Sequence, residues 1–173
     1  MTESAAPGGL ETVRTFVNTW RVPNDTRVPE DRLTAEAWGD DFPGLPRAGS
    51  ALAELRRLRQ ALRAELGAER PAGLRGWLEE HPVRAVLSAD PGEAALVLRA
   101  EDGTAAGAIL ALVAEAVRDG RWSRLKACPD CAWVFYDHSR NGGRRWCAMN
   151  AGAPDGRGCG SIAKVRAYRE RRR

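Results

Sequence analysis

The amino-acid sequence predicts an α+β protein in two parts. A mainly helical N-terminal domain with one β-hairpin covers residues 10–120, and a small cysteine-bearing module covers 121–173. Three observations predict this. Apolar residues recur at helical spacing through most of the first 120 residues. The period changes once, between Val83 and Arg99, to aliphatic and β-branched runs on either side of a turn. All four cysteines fall between residues 128 and 159.

Residues 1–9 are small and polar and read as disordered. From Leu10 the apolar positions Leu10, Val13, Phe16, Val17 and Trp20 fit one face of a helix. It should stop near Arg21, because Pro23 and Asn24-Asp25 follow. Asn18 and Thr19 lie at its C-terminal end, where a polar pair can cap the last turn or face a pocket. Val22 to Ser50 is irregular, with Pro23, Pro29, Pro43 and Pro46 and one short helix about Leu33 to Trp38. Ser50 is placed to cap an amphipathic helix whose stripe is Leu52, Leu55, Leu58 or Arg59, Leu62 and Leu66. The arginines of that helix read as a solvated face. Gly67 and Pro71 end it. A further helix, about Ala72 to Glu80, turns Leu74, Trp77 and Leu78 inward.

Val83 to Ser88 and Glu93 to Arg99 flank Asp90-Pro91-Gly92, a hairpin turn in which Pro fixes φ and Gly accepts a positive one. Thr104 can cap the next helix, whose inner face is Ala105, Ile109, Leu112, Val113, Ala116 and Val117. Gly120 stops it.

The module that follows holds Cys128, Cys131, Cys147 and Cys159. A C-x2-C turn aims two sulfurs at one point, and fifteen residues separate it from the third cysteine. Four soft thiolates with no spare suit one closed, structural Zn²⁺. Two readings compete with zinc. Paired disulfides need an oxidising compartment. A redox C-x-x-C normally opens a helix in a βαβ unit, whereas an aromatic, strand-like run follows Cys131. Trp133 to Tyr136 should form a strand, Asn141-Gly142-Gly143 a turn, and Arg144 to Trp146 a returning strand. A helix from about Ser161 should bury Ile162, Val165 and Tyr168. Knuckle, hairpin and helix in that order make a treble-clef-like zinc finger, too small to fold without its metal.

Charge divides the chain. Residues 121–173 hold thirteen Lys+Arg against four Asp+Glu, net +9, and residues 1–120 hold fourteen against nineteen, net −5. Four thiolates on one Zn²⁺ would leave the module near +7. Such a basic end suits a polyanion, with DNA as the expected partner. Arg140, Arg144, Arg145, Lys164, Arg166 and Arg169 are the candidate phosphate or guanine contacts, and Asn141 is a candidate for an adenine edge. Asp137 and Ser139 fit a structural role in the turn, and His138 reads as an exposed turn residue. No phosphate loop, nucleophile motif or carboxylate pair marks an enzyme. Residues 1–9 have no secretory pattern and no apolar run is long enough for a membrane, so a cytoplasmic location is expected.

The run Cys-x2-Cys, Trp-Val-Phe-Tyr-Asp-His-Ser-Arg-Asn, Arg-Arg-Trp-Cys and Cys-Gly before a basic helix resembles the CGNR zinc finger. Phe16-Val17-Asn18-Thr19 resembles the Asn-Thr motif of the ABATE domain that precedes that finger in the family. The resemblance implies a stress-induced transcription regulator, with the finger on DNA and the N-terminal domain as a sensor. Asn18 and Thr19 would then face a small-molecule ligand or protein partner. This chain departs from the pattern in reading Cys159-Gly160-Ser161-Ile162, without the motif's Asn and Arg. It also carries a longer Gly/Pro loop, Ala151 to Gly158. Two further readings stay open: an adaptor whose finger docks on an acidic protein, and a sensor whose oxidised thiolates release zinc.

Overall fold

The computed structural model describes residues 5–92, 94–149 and 158–172. The loop expected at Ala151 to Gly158 lies almost wholly outside them, as do Glu93 and residues 1–4. Among the described residues the chain forms six α-helices and three two-stranded antiparallel sheets, so the class is α+β. None of the helices is long and apolar enough to cross a membrane.

Helix α1 (Leu10–Asn18) is the centre of the fold. Its spacing puts Leu10, Val13, Phe16 and Val17 on one buried face. It packs on α3 (Leu52–Ala64), on α5 (Ala105–Arg118) and on a strand of the C-terminal module. Ala6, within the stretch expected to be disordered, is held in place. It is buried in this core, and its N–H donates to Glu11 Oε2 at 2.7 Å.

Helix α1 ends three residues earlier than expected. The Thr19 hydroxyl donates to the Phe16 carbonyl at 2.7 Å and closes the last turn. The chain then becomes β1 (Trp20–Arg21), which pairs with β2 (Glu30–Asp31). This ribbon, inside the stretch expected to be irregular, returns Asp31 to the end of α1. Helix α2 (Ala35–Asp41) is capped by Thr34, whose Oγ1 accepts from Ala37 N at 3.1 Å. Trp38 of α2 meets Phe16 edge to face, with centroids 5.8 Å apart, and donates its indole N–H to the Pro46 carbonyl.

Ser50 does not cap α3. It lies in a 3₁₀ turn (Gly49–Ala51), and the helix begins at Leu52 with no side-chain cap. Its arginines also depart from a solvated face. Arg59 is 1% exposed. It donates to both oxygens of Asp31 at 2.7 Å and to Thr19 Oγ1 at 2.8 Å. A planar fork matched to a carboxylate makes burial of this charge tolerable. Arg59's hydrogen bonds, with help from the Leu33 N–H and against the effect of burial, hold the Asp31 carboxyl at about 2. Because the folded value is depressed, the stabilisation is fully present above the ordinary value of 3.8 and is lost as pH falls toward 2. Denaturant midpoints between pH 2 and 6 should fall with pH in the native chain, and that slope should flatten in Asp31→Asn.

Helix α4 (Arg75–Glu80) follows a 3₁₀ turn over Ala72–Leu74. It leads into β3 (Val83–Leu87), which pairs with β4 (Leu96–Ala100) in the expected hairpin. Thr104 caps α5 as expected, its Oγ1 accepting from Gly107 N at 2.9 Å. His81 is buried, with Nδ1 2.6 Å from Asp102 Oδ2. Beyond α5, the 3₁₀ turn Trp122–Arg124 buries Trp122, whose indole donates to the Glu65 carbonyl at 3.0 Å. Trp122, Leu125, Val134 and Tyr136 share one core with helices α1 to α5.

Candidate metal centre

Two short strands build the site. β5 (Leu125–Ala127) pairs with β6 (Val134–Tyr136), and the C-x2-C lies at the bend between them. The strand partner of β6 is therefore upstream of the knuckle. Residues 144–146, expected to return as a strand, have no strand structure, so a treble-clef hairpin after the knuckle does not form here. The turn at Asn141-Gly142-Gly143 is present, with Gly142 at φ +60 and its N–H donating to the Ser139 carbonyl at 3.2 Å. The edge of β6 away from β5 is occupied by Asn18, which bonds the Val134 N–H and C=O. Lys126 of β5 reaches across to Asp137 and to the Gly142 carbonyl, and so holds the turn.

Strand alternation divides β6 between two interiors. Val134 and Tyr136 enter the main core. Phe135 faces the other way and packs with Cys128, Cys131, Cys159, Trp133 and Trp146. An aromatic mini-core thus forms without Tyr136.

The knuckle is tightly specified. Cys128 N donates to the Trp133 carbonyl, and Ala132 N donates to the Cys128 carbonyl, both at 2.8 Å. Ala132 adopts φ 59, a left-handed conformation that costs any residue with a Cβ. Ala132→Gly is expected to stabilise the zinc-loaded protein by about 0.5–1 kcal/mol in chemical denaturation. Two arginines of the N-terminal part hold the knuckle from outside. Arg63 donates to the Ala132 carbonyl at 2.6 Å and to the Val17 carbonyl at 2.8 Å. Arg27 donates to the Asp130 carbonyl at 2.5 Å.

The last ligand comes from helix α6 (Cys159–Glu170), which starts two residues before the expected Ser161. Residues 148–149 clasp its first turn. Gly160 N donates to the Ala148 carbonyl at 2.9 Å, and Ser161 N to the Met149 carbonyl at 3.0 Å. A Cβ at Gly160 would displace the end of the Met149 side chain and crowd the Trp146 ring, so glycine lets this approach form without moving either.

All four sulfurs lie within 4.8 Å of one another. Cys131 and Cys147 are 3.5 Å apart, and Cys147 and Cys159 are 3.7 Å apart. These separations are far too long for disulfide bonds, which span about 2.05 Å. They match the edge of about 3.8 Å expected when four Zn–S bonds of about 2.3 Å form a tetrahedron. Crowding sets the thiols against one another. Hydrogen bonds with Cys131 and Cys147 hold the Cys128 thiol far below its usual range, and those with Cys128 and Cys131 push Cys147 up. Burial, followed by the charges of Cys131 and Cys128, raises Cys159 to about 12. A divalent cation shared by all four removes this competition. The cysteines are close enough together to bind one zinc ion.

Asp137 is the fastener of the loop beyond β6. Its side chain is fully buried. Oδ1 accepts from Ser139 N and Oγ, and Oδ2 from Arg144 N and Lys126 Nζ, all within 2.9 Å. Burial alone would raise this carboxyl. The hydroxyl, the ammonium and the two N–H groups outweigh burial and hold it well below the carboxylate range. Arg124 grips the same loop, donating to the carbonyls of Asp137 and Ser139. The signal for this arrangement is present in the sequence, since Arg124, Leu125 and Lys126 alternate in polarity, but three residues are too few to identify a strand.

The other candidate residues divide. Arg140, Asn141, Lys164 and Arg169 are exposed. Arg145 is exposed and lies over the Trp146 ring. Arg144 sits over Phe135 and donates to the Trp146 and Cys147 carbonyls, so its guanidinium braces the cluster. Arg166 meets Asp130 of the knuckle at 3.4 Å. The apolar face expected on α6 is open, with Val165 48% and Tyr168 50% exposed. Among the described residues, Arg172 lies over the Tyr168 ring and Arg166 reaches Asp130, but this does not bury the apolar face.

Asn18 and Thr19, the candidate ligand contacts, are buried and engaged internally. Asn18 Nδ2 donates to the Val134 carbonyl at 2.8 Å, and its Oδ1 accepts from Val134 N at 2.9 Å. Asn18 thus acts as an extra strand residue alongside β6. Thr19 caps α1 and receives Arg59.

Residues 124–172 match the family model of the CGNR zinc finger. That stretch contains all four cysteines and begins at Arg124, which grips the Asp137 loop. No curated protein matches the chain.

Proposed function

We propose that the chain is a DNA-binding transcription regulator with no catalytic role of its own. The observation that carries this reading is the placement of exposed cations around a rigid four-sulfur cluster. Arg140, Asn141 and Arg145 ride on the loop pinned by Asp137, and Lys164 and Arg169 on the helix that begins at Cys159. Cations fixed on a metal-braced frame meet phosphates without first losing side-chain and loop freedom. The N-terminal part holds β6 through Asn18 and the knuckle through Arg27 and Arg63, and a ligand or partner received there would act on the finger through these contacts. This fits the resemblance to stress-induced regulators with an ABATE domain.

Duplex DNA binding by the zinc-loaded protein should weaken steeply with salt. Arg140→Ala, Lys164→Ala and Arg169→Ala should each lower the salt slope by about one. Absence of binding to any duplex at low salt would defeat the reading. The exposed Val165 and Tyr168, with the missing Asn and Arg of the motif, favour a second reading, docking on an acidic protein surface. Val165→Ser and Tyr168→Ser should then abolish capture of that partner while leaving any DNA affinity intact.

A further inference from the structure

The β3–β4 hairpin has one covered edge and one open edge. Its ends are closed by Ser88 N donating to the Ala95 carbonyl and Glu101 N to the Pro82 carbonyl, both at 3.0 Å. Pairing runs from Val83↔Ala100 to Leu87↔Leu96. Alternation along an antiparallel ladder then makes 84/99 and 86/97 the hydrogen-bonded pairs. The N–H and C=O groups of Val83, Ala85 and Leu87 therefore point out from β3, and those of Leu96 and Leu98 point out from β4.

Helix α5 covers the β4 edge. Leu98 N donates to Glu115 Oε1 at 2.8 Å, and the Leu96 carbonyl accepts from Arg118 Nη1 at 3.0 Å. Among the described residues nothing equivalent covers β3. Its outward-pointing positions carry apolar side chains, and Leu87 and Leu96, paired across the hairpin tip, are 80% and 43% exposed. Exposed edges are usually defended by Lys, Pro or a bulge. The strand Val83–Leu87 contains no Lys, Pro or bulge and a single charge, Arg84, and two-stranded ribbons are marginal alone.

We propose that β3 pairs antiparallel with β3 of a second copy, about a two-fold axis at Ala85, to form a four-stranded sheet. The strand is complementary to itself in this register. Ala85 meets Ala85, and Val83 meets Leu87, so all six outward groups of each copy find a partner. Arg84 faces Val86. A slip of two residues one way would set Arg84 against Arg84 and leave Leu87 unpaired, and the opposite slip would leave Val83 unpaired. Like charges directly opposite are destabilising, so charge and hydrogen bonding choose the same register. The C2 contact is isologous and closed. It is independent of what the finger binds.

Sedimentation of the zinc-loaded full chain up to about 100 µM tests this. The native chain should be a dimer. Leu87→Lys should weaken dimerisation at least about tenfold by putting a charge beside Val83 of the other copy. Val28→Lys, which changes an exposed apolar residue on a different loop, should leave it unchanged. A native chain that stays monomeric overturns the proposal. So does a dimer that persists in Leu87→Lys, or one that is lost equally in Val28→Lys.

Discussion

Replacing Cys131 by Ser is expected to abolish stoichiometric zinc binding and to lower the melting temperature by about 10 °C or more. Metal binding supplies most of the folding free energy of isolated zinc fingers, about 10–16 kcal/mol at neutral pH. Only part of this is expected as lost global stability, because Leu125, Val134 and Tyr136 keep their places in the main core. What loses its frame is the other side of β6, where Phe135 packs on the sulfurs, together with the 148–149 clasp and α6. Calorimetry should show a lower main transition, and far-UV circular dichroism should show loss of the α6 helix signal. A chelator should reproduce both effects in the native chain, and added zinc should reverse them. Unchanged melting in the zinc-free protein would mean that the sulfurs do not support the fold.

Asn18→Ala is expected to cost about 2–4 kcal/mol in chemical denaturation. It strips both partners from a backbone N–H and C=O that are fully buried at Val134. Each orphaned group bears a desolvation penalty of about 1–3 kcal/mol. Zinc should remain bound, since none of the ligands moves. Hydrogen exchange should resolve the effect, with the Val134 amide exchanging faster in the variant. A ligand contact on an otherwise indifferent surface would behave differently, with a change within about 0.5 kcal/mol.

The two outcomes come from one feature. Strand β6 turns one side to the α-helical core and the other to the cysteines, so the finger is built into the wall of the N-terminal part. This was only partly legible in the sequence. The C-x2-C spacing and the thiolate count were enough for a four-sulfur zinc site, because metal geometry is local in chemistry even when its ligands are distant in sequence. The helical stripes of α1, α3 and α5 and the β3–β4 hairpin were legible because their periods persist over several turns or several residues.

What stayed hidden is tertiary. Arg59 can read as a stripe position or as a surface arginine until Asp31 is brought to it by a two-residue ribbon too short to leave a pattern. Asn18 reads as a capping or pocket residue, because nothing near it in sequence announces Val134, 116 positions away. The aromatic run does form a strand, over Val134–Tyr136, but its partner lies upstream of the knuckle and not after the turn. A glycine turn at 141–143 is a stronger local signal than the three residues before Cys128. Val165 and Tyr168 keep helical spacing and yet face solvent, since periodicity shows which residues share a face and not whether anything covers it.

X-ray absorption at the zinc edge of the purified native chain, with metal stoichiometry measured on the same sample, bears most directly on the cluster. One zinc per chain with four sulfurs at about 2.3 Å is the expected result. A nitrogen or oxygen ligand in the inner shell, or no zinc in stoichiometric amount, would contradict a frame built on Cys128, Cys131, Cys147 and Cys159.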